Sequence, residues 1–182
     1  DGTYRFDIRL QGEGETVFSS GAPGKDGRIE GNDNDDDPEA FEPHYDVIDD
    51  DDQVQIYEGI VEDTDGHVTR VLLRGAGYAK DNRLLPKGYK KAKAHQDVAV
   101  FGEADEDGNF KGGADLVTYE IDLDGAAGPF TVTAKLHYQS ISFPFVDFFN
   151  DVKTAEGKAF LKLVEKTGNE AVLVDDHSKK VN

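Results

Sequence analysis

Two runs of acid and one histidine hold the densest chemistry in the 182-residue chain. The runs are Asp33-Asn34-Asp35-Asp36-Asp37 and Asp49-Asp50-Asp51-Asp52, with His44 between them. Like charges this close repel unless water, salt or a cation separates them. Calcium is a hard cation that takes roughly six to eight oxygen ligands. Asp33, Asp35 and Asp37 alternate as the ligands of a calcium loop do. The EF-hand spacing fails, because the sixth position is Pro38 rather than Gly and the twelfth is His44 rather than Glu. Two readings stay open: a solvated loop, and an irregular calcium site drawn from Asp33, Asp35, Asp37, Asp49, Asp50, Asp51 and Asp52. His44 could pair with a carboxylate, ligate a metal or act as axial ligand to a neighbouring haem; a surface histidine is the plain alternative.

Other catalytic chemistry finds little support. The chain has no Cys, which removes disulfides, thiolate nucleophiles, Cys-ligated zinc, iron–sulfur clusters and covalent haem attachment. The five histidines, His44, His67, His95, His137 and His177, form no HExxH or similar metal spacing. No GxSxG is present, and the glycines fit neither a phosphate-binding loop nor a dinucleotide fingerprint. Carboxylate pairs of the glycosidase type are too numerous to single one out. The expectation is a protein that is not an enzyme.

Charge bounds the partners. Acidic residues number 38 and basic residues 20, a net −18. Seventeen of the acids lie between residues 26 and 65 beside a single base, Arg28, whereas residues 70–93 carry eight bases and only Asp81 as acid. So acidic charge is concentrated in one insert and followed by a basic stretch. Nucleic acid needs clustered Lys and Arg to neutralise phosphates, so it is not an expected partner. No apolar run approaches the roughly 18 residues that would span a bilayer. The absence of Met leads us to expect a processed protein, a domain or a part of something longer.

The elements that must position these groups are mostly strands. Residues 3–11 alternate Tyr4, Phe6, Ile8 and Leu10 with Thr3, Arg5, Asp7 and Arg9, the period-two pattern of a half-buried strand. Residues 54–61, 68–73, 98–103, 116–123 and 130–140 read as further strands, and 171–174 as a closing one. Asp-Gly at 26–27, 65–66, 107–108 and 124–125 marks turns. Helix is confined to residues 144–152, with Pro144 in the first turn, and 154–166, with Thr154 as N-cap and Gly168 beyond the end. Residues 19–42 read as a long loop. His137 falls opposite in phase to Leu136 and Tyr138, so it should point away from their face. The pattern predicts one all-β domain over residues 1–182: an antiparallel, jelly-roll-like β-sandwich with one or two short C-terminal helices and an acidic insert at about 19–52.

One stretch has the texture of a motif, residues 78–89, YAKDNRLLPKGY. Asp81 and Asn82 can bond nearby backbone N–H groups, Arg83 can pair with Asp81, Leu84 and Leu85 can dock into the sandwich edge, and Pro86 fixes its own φ. That is a structured crossing loop.

The series VQIYE from Val54, VLLR from Val71 and KDNRLLPKG from Lys80 resembles the C-terminal non-haem domain of bacterial multihaem c-type cytochromes. GGAD from Gly112, GPFTV from Gly128 and LHYQSI from Leu136 resemble it too, in the same order. About half the chain, residues 54–141, is involved. The resemblance implies a periplasmic or extracellular β-sandwich beside haem-bearing electron-transfer segments. Haem would then lie only on sequence outside this chain, which has no Cys.

These readings converge on a non-catalytic extracytoplasmic interaction or scaffolding module associated with a multihaem cytochrome segment or subunit, with calcium as candidate cofactor. Arg70, Arg74, Lys80, Asp81, Asn82, Arg83 and Lys87 form the expected contact region for an acidic neighbour. Self-association of acidic on basic surface is a further expectation and, if head-to-tail, would give a cell-surface filament. The rival classes are a carbohydrate-binding module using Tyr45, Tyr57, Tyr78, Tyr89, Tyr119 and Tyr138, and a carboxylate-pair hydrolase.

Overall fold

A computed structural model describes residues 2–29, 37 and 39–182. Its main sheet is built on β1 (Thr3–Gly12), where the alternation of Tyr4, Phe6, Ile8 and Leu10 with polar residues sets two chemically distinct faces. Glu13 and Gly14, both at positive φ, reverse the chain into β2 (Glu15–Ser20), which returns antiparallel with a bulge beside Gln11. The other edge of β1 pairs along its whole length with β8 (Phe130–Gln139). Outside β8 lies β9 (Val172–Val181), also antiparallel. β4 (Ile56–Tyr57) prolongs the β2 side, with Tyr57 opposite Tyr4. The sheet is therefore antiparallel, five-stranded and ordered β2-β1-β8-β9 with β4 beside β1.

Two smaller pairs stand apart from it. β3 (Val47–Ile48) runs parallel to β7 (Thr118–Tyr119), and β5 (Gly59–Glu62) runs antiparallel to β6 (Gly77–Asp81). The fold is thus β-rich, and the α-helices among the described residues are α1 (Glu103–Glu106), α2 (Phe143–Asp151) and α3 (Ala155–Thr167). Among the described residues, what faces the main sheet is short pairs and irregular chain rather than a second sheet of comparable width.

The apolar face carries Tyr4, Phe6, Ile8 and Leu10 beside Tyr138, Leu136, Ala134 and Val132. At one end Leu10, Phe18 and Ile48 form a core with Tyr119 and Ile121. At the other, Tyr57, Val100, Ala104 and Phe110 pack with Phe6 and Leu85. The opposite face is charged. Arg5 stands opposite His137 and Asp7 opposite Lys135, and both Arg5 and Asp7 are buried. Arg5 donates to Gln139 Oε1 at 3.3 Å and to the Gly27 carbonyl at 3.4 Å. Arg28 holds α2 over this end, donating to both carboxylate oxygens of Asp147 at 2.8 Å and lying 4.4 Å over the Phe143 ring.

Both C-terminal helices form where expected. Thr154 Oγ1 caps α3 by accepting from the Gly157 N–H, and Phe149 meets Phe160 at 4.6 Å to join α2 to α3. Five strand expectations need correction. Residues 54–61 break at Glu58 into β4 of the main sheet and β5 of the small β5–β6 pair. Residues 68–73 keep one bridge, Val68 to Glu62, then close an i→i+3 turn that leaves Leu73 99% exposed. Residues 98–103 hold the end of a short 3-10 turn and an isolated Phe101–Asp81 bridge before α1. Only Thr118 and Tyr119 of residues 116–123 are strand. At 68–73 and 98–103 local turn bonds satisfy the backbone before a ladder can. The closing strand, in contrast, runs on to Val181 because β8 offers it a full-length partner. His137 does oppose Leu136 and Tyr138, but the face it joins is itself covered, and its side chain is only 14% exposed.

Candidate functional site

His44 is buried at the centre of a polar network that the 42–58 segment, the 80–83 motif and the 107–115 segment build together. Its Nδ1 faces two amide groups, Gln55 Nε2 and Asn82 Nδ2, each at 3.0 Å. Neither amide can turn round. Gln55 Oε1 accepts the Tyr45 N–H at 2.9 Å, and Asn82 Oδ1 accepts the Glu58 N–H at 2.8 Å. Both nitrogens therefore donate to Nδ1, the ring proton sits on Nε2, and Nε2 donates to Asp107 Oδ2 at 3.1 Å. Burial pushes the Asp107 carboxyl up, but N–H bonds from Asn109 and His44 outweigh it and leave it below the usual range.

The network continues to the apolar face. Asp115 Oδ2 accepts from Tyr57 Oη at 2.6 Å and Gln55 Nε2 at 3.4 Å, and its Oδ1 accepts the Leu116 N–H at 2.8 Å. Burial, and then the Asp115 bond, drive the Tyr57 phenol well above its ordinary value. The ligand atoms of His44, Asp107 and Asp115 lie within 4.8 Å of one another, the spacing of a metal site. The fixed ring proton opposes that role, because Nε2 has no lone pair to give while Nδ1 accepts two donors. The same constraint corrects the haem-ligand reading, and burial corrects the surface one: His44 Nε2 is committed to Asp107, and the side chain is 1% exposed.

The 78–89 motif proves to be the clamp that holds this network. Lys80 is fully buried, and its Nζ donates to the carbonyls of Glu42 (2.7 Å) and Ile56 (2.9 Å) and to Glu58 Oε1 (3.2 Å). Burial lowers the Lys80 pKa, and Glu58 opposes that shift. Asn82, also fully buried, donates to the Ile56 carbonyl at 2.8 Å. Asp81 accepts from Arg83 Nε and Nη2 at 2.9 and 2.6 Å, the pairing the sequence suggests. Lys80, Asp81 and Asn82 are therefore internal and cannot serve as docking residues. Arg74, Arg83 and Lys87 are exposed, and Arg70 is half-buried.

Two clefts flank the sheet. On the charged side a cleft of about 430 Å³ brings Arg5, Glu58, Arg70 and Arg83 together near the start of α2. On the apolar side a larger one, about 770 Å³, separates Phe6, Ile8, Tyr57, Ala134 and Leu136 of the sheet from Leu84, Phe110 and Tyr119 of the covering layer. This volume lies in the ~300–1,000 Å³ range of small-molecule sites. Its walls are apolar except at Asp115, Lys111 and the phenol of Tyr119. Tyr119 Oη is buried with no hydrogen-bond partner, and burial raises its pKa.

The acid runs are dispersed by comparison. Asp33 and Asp35 lie outside the described residues. Asp37 is exposed and accepts the Glu39 N–H at 2.9 Å. Asp49, Asp50, Asp51 and Asp52 are exposed, and the carboxylates of the last three can approach within 4.8 Å. Asp50 Oδ1 already accepts the Asp52 N–H, which is turn chemistry. None of the six tyrosines proposed as sugar platforms is exposed; Tyr78, for example, stacks on Phe101 at 5.6 Å.

Asp107 and Asp115 are the functional residues that sequence reading missed as a pair. Asp107 reads as a turn residue before Gly108, and nothing in a separation of 63 residues links it to His44. Comparison with protein-family models, curated proteins and solved structures finds no match, so the site is read from its own geometry.

Proposed function

We propose that the chain is a non-catalytic binding domain of β-sandwich type. It takes a small, mostly apolar molecule bearing one hydrogen-bonding group into the cleft over the apolar face. The observation that carries this reading is the 770 Å³ cleft itself, walled by Phe6, Ile8, Ala134, Leu136, Leu84 and Phe110 with Asp115 and Lys111 as its charged groups. Asp115 and Lys111 on the cleft wall offer the partner for the ligand's hydrogen-bonding group. The reading as a binder rather than an enzyme is supported by His44, both of whose ring nitrogens are engaged, and by Asp115, whose oxygens already accept from Tyr57, Gln55 and the Leu116 N–H. The cytochrome-like motifs support an extracytoplasmic setting beside haem-bearing segments.

Titration with a neutral environment-sensitive naphthylamine dye tests the cleft. Saturable one-site binding is expected, weakened at least tenfold by Ala134→Leu; unsaturable binding, or binding indifferent to that change, overturns it. An absorption spectrum and intact mass of native-source material test the setting. A Soret band and a larger mass support it, and a colourless species near 19.9 kDa overturns it.

A further inference from the structure

β9 is a ten-residue edge strand whose every residue is exposed. Among the described residues it pairs only with β8, so its outer row of N–H and C=O groups meets solvent. Long open edges are templates for another strand, and the side chains of β9 state which strand would fit. Asp175, His177 and Lys179 lie on the side continuous with the apolar face, opposite Leu136, Ala134 and Val132; Asp176, Ser178 and Lys180 lie on the other.

We infer that β9 is a self-pairing edge, and that two copies join antiparallel about a twofold axis through His177. A twofold perpendicular to the sheet keeps like faces on one side, so only residues from the same face can stand opposite one another. Centring on His177 sets Asp175 opposite Lys179 of the second copy, and Lys179 opposite its Asp175. On the other face Asp176 stands opposite Ser178 and diagonal to Lys180. Each directly opposed pair is thus opposite in charge or neutral, the arrangement that stabilises such pairs, and the like-charge contact of Asp176 with its own copy is only diagonal. The competing arrangements are worse. Centring on Ser178 also gives a direct ion pair, Asp176 opposite Lys180, but it sets His177 beside Lys179 and leaves Asp175 against Val181. Parallel in-register pairing sets Asp on Asp and Lys on Lys. The product is a continuous path, β2-β1-β8-β9 running into its symmetry copy, which closes as a dimer and leaves both apolar clefts on one side. One edge buries little area, so association falls in the weak class. This inference stands apart from the cleft proposal, since no residue that lines the cleft takes part.

Two measurements test it on the full chain. Sedimentation velocity from ~10 μM to ~1 mM, the span of weak interfaces, should show a monomer–dimer equilibrium. Asp175→Lys should weaken it at least tenfold, and Asp175→Lys with Lys179→Asp should restore it. The chain has no Cys, so His177→Cys provides a single thiol on the axis, where antiparallel Cα separations of ~4.5–5.5 Å suit a disulfide. Its oxidative cross-linking should outpace that of Leu73→Cys, which is also exposed but lies outside β9. A monomer throughout, an open-ended polymer, an unaffected Asp175→Lys variant, failure of the charge swap to restore, or equal cross-linking at both positions would overturn the inference.

Discussion

The two faces of the β1–β8 pair share one backbone and solve burial in opposite ways. On the apolar side contact is non-directional, so short segments and turns suffice as cover, and they leave a 770 Å³ cleft. On the charged side Arg5 and Asp7 need aimed partners, so Gln139, Gly27, Lys135 and His137 gather around them, and the cleft there is smaller at 430 Å³. Empty space collects where nothing demands a specific neighbour. The cover is held in place by polar groups too, but those stand behind it, in the His44–Asn82–Lys80 network.

The largest expected effect comes from cutting that hold. Lys80→Met leaves Glu58 without its ion pair and the Glu42 carbonyl without that donor, while Asn82 still serves the Ile56 carbonyl, and should cost about 3–5 kcal/mol by urea denaturation. A loss below 1 kcal/mol would mean that the clamp does not hold the cover.

Next is a contrast within the apolar layer. Ala104 is fully buried in packed core, so Ala104→Leu should cost roughly 1–3 kcal/mol. Ala134 borders open cleft, so Ala134→Leu should shift the thermal midpoint little or upward. Equal losses at both positions would deny that the cleft is open.

The charged face is probed by pH. Burial, then the Arg5 charge, lower the His137 pKa below its ordinary 6.5. The unfolded chain then binds the proton more readily. Stability from this group is complete above pH 6.5 and falls as pH drops toward the folded-state value. Subtracting a His137→Gln stability profile from the parent's should isolate that slope; no difference would place His137 in a solvated setting.

The smallest effect is expected at the acid run. Asp51 is exposed, and Asp51→Asn should change stability by less than about 0.5 kcal/mol with or without calcium. A calcium-dependent rise in the parent's midpoint that the variant loses would assign an ion there.

Much of the frame is legible along the chain. The alternation around Tyr4 and Phe6, the long strand after Phe130, and the Thr154 cap all act within a few residues. Asp81 and Arg83 are neighbours, so their pairing is legible as well. β9 is different. Asp175, Asp176, Lys179 and Lys180 have low strand preference, and the ladder from β8 imposes what propensity does not.

By itself the sequence determined the period-two faces, the helix ends and the turn chemistry, because those depend on contacts between near neighbours. It also determined that this chain carries no thiol. Only the tertiary structure decided, among the carboxylate pair, metal or haem ligand and surface group open to His44, that it is buried with its proton directed to Asp107. It likewise decided that Lys80 and Asn82 face inward. A polar side chain takes its role from whichever donor or acceptor the fold delivers, and that partner can lie 63 residues away.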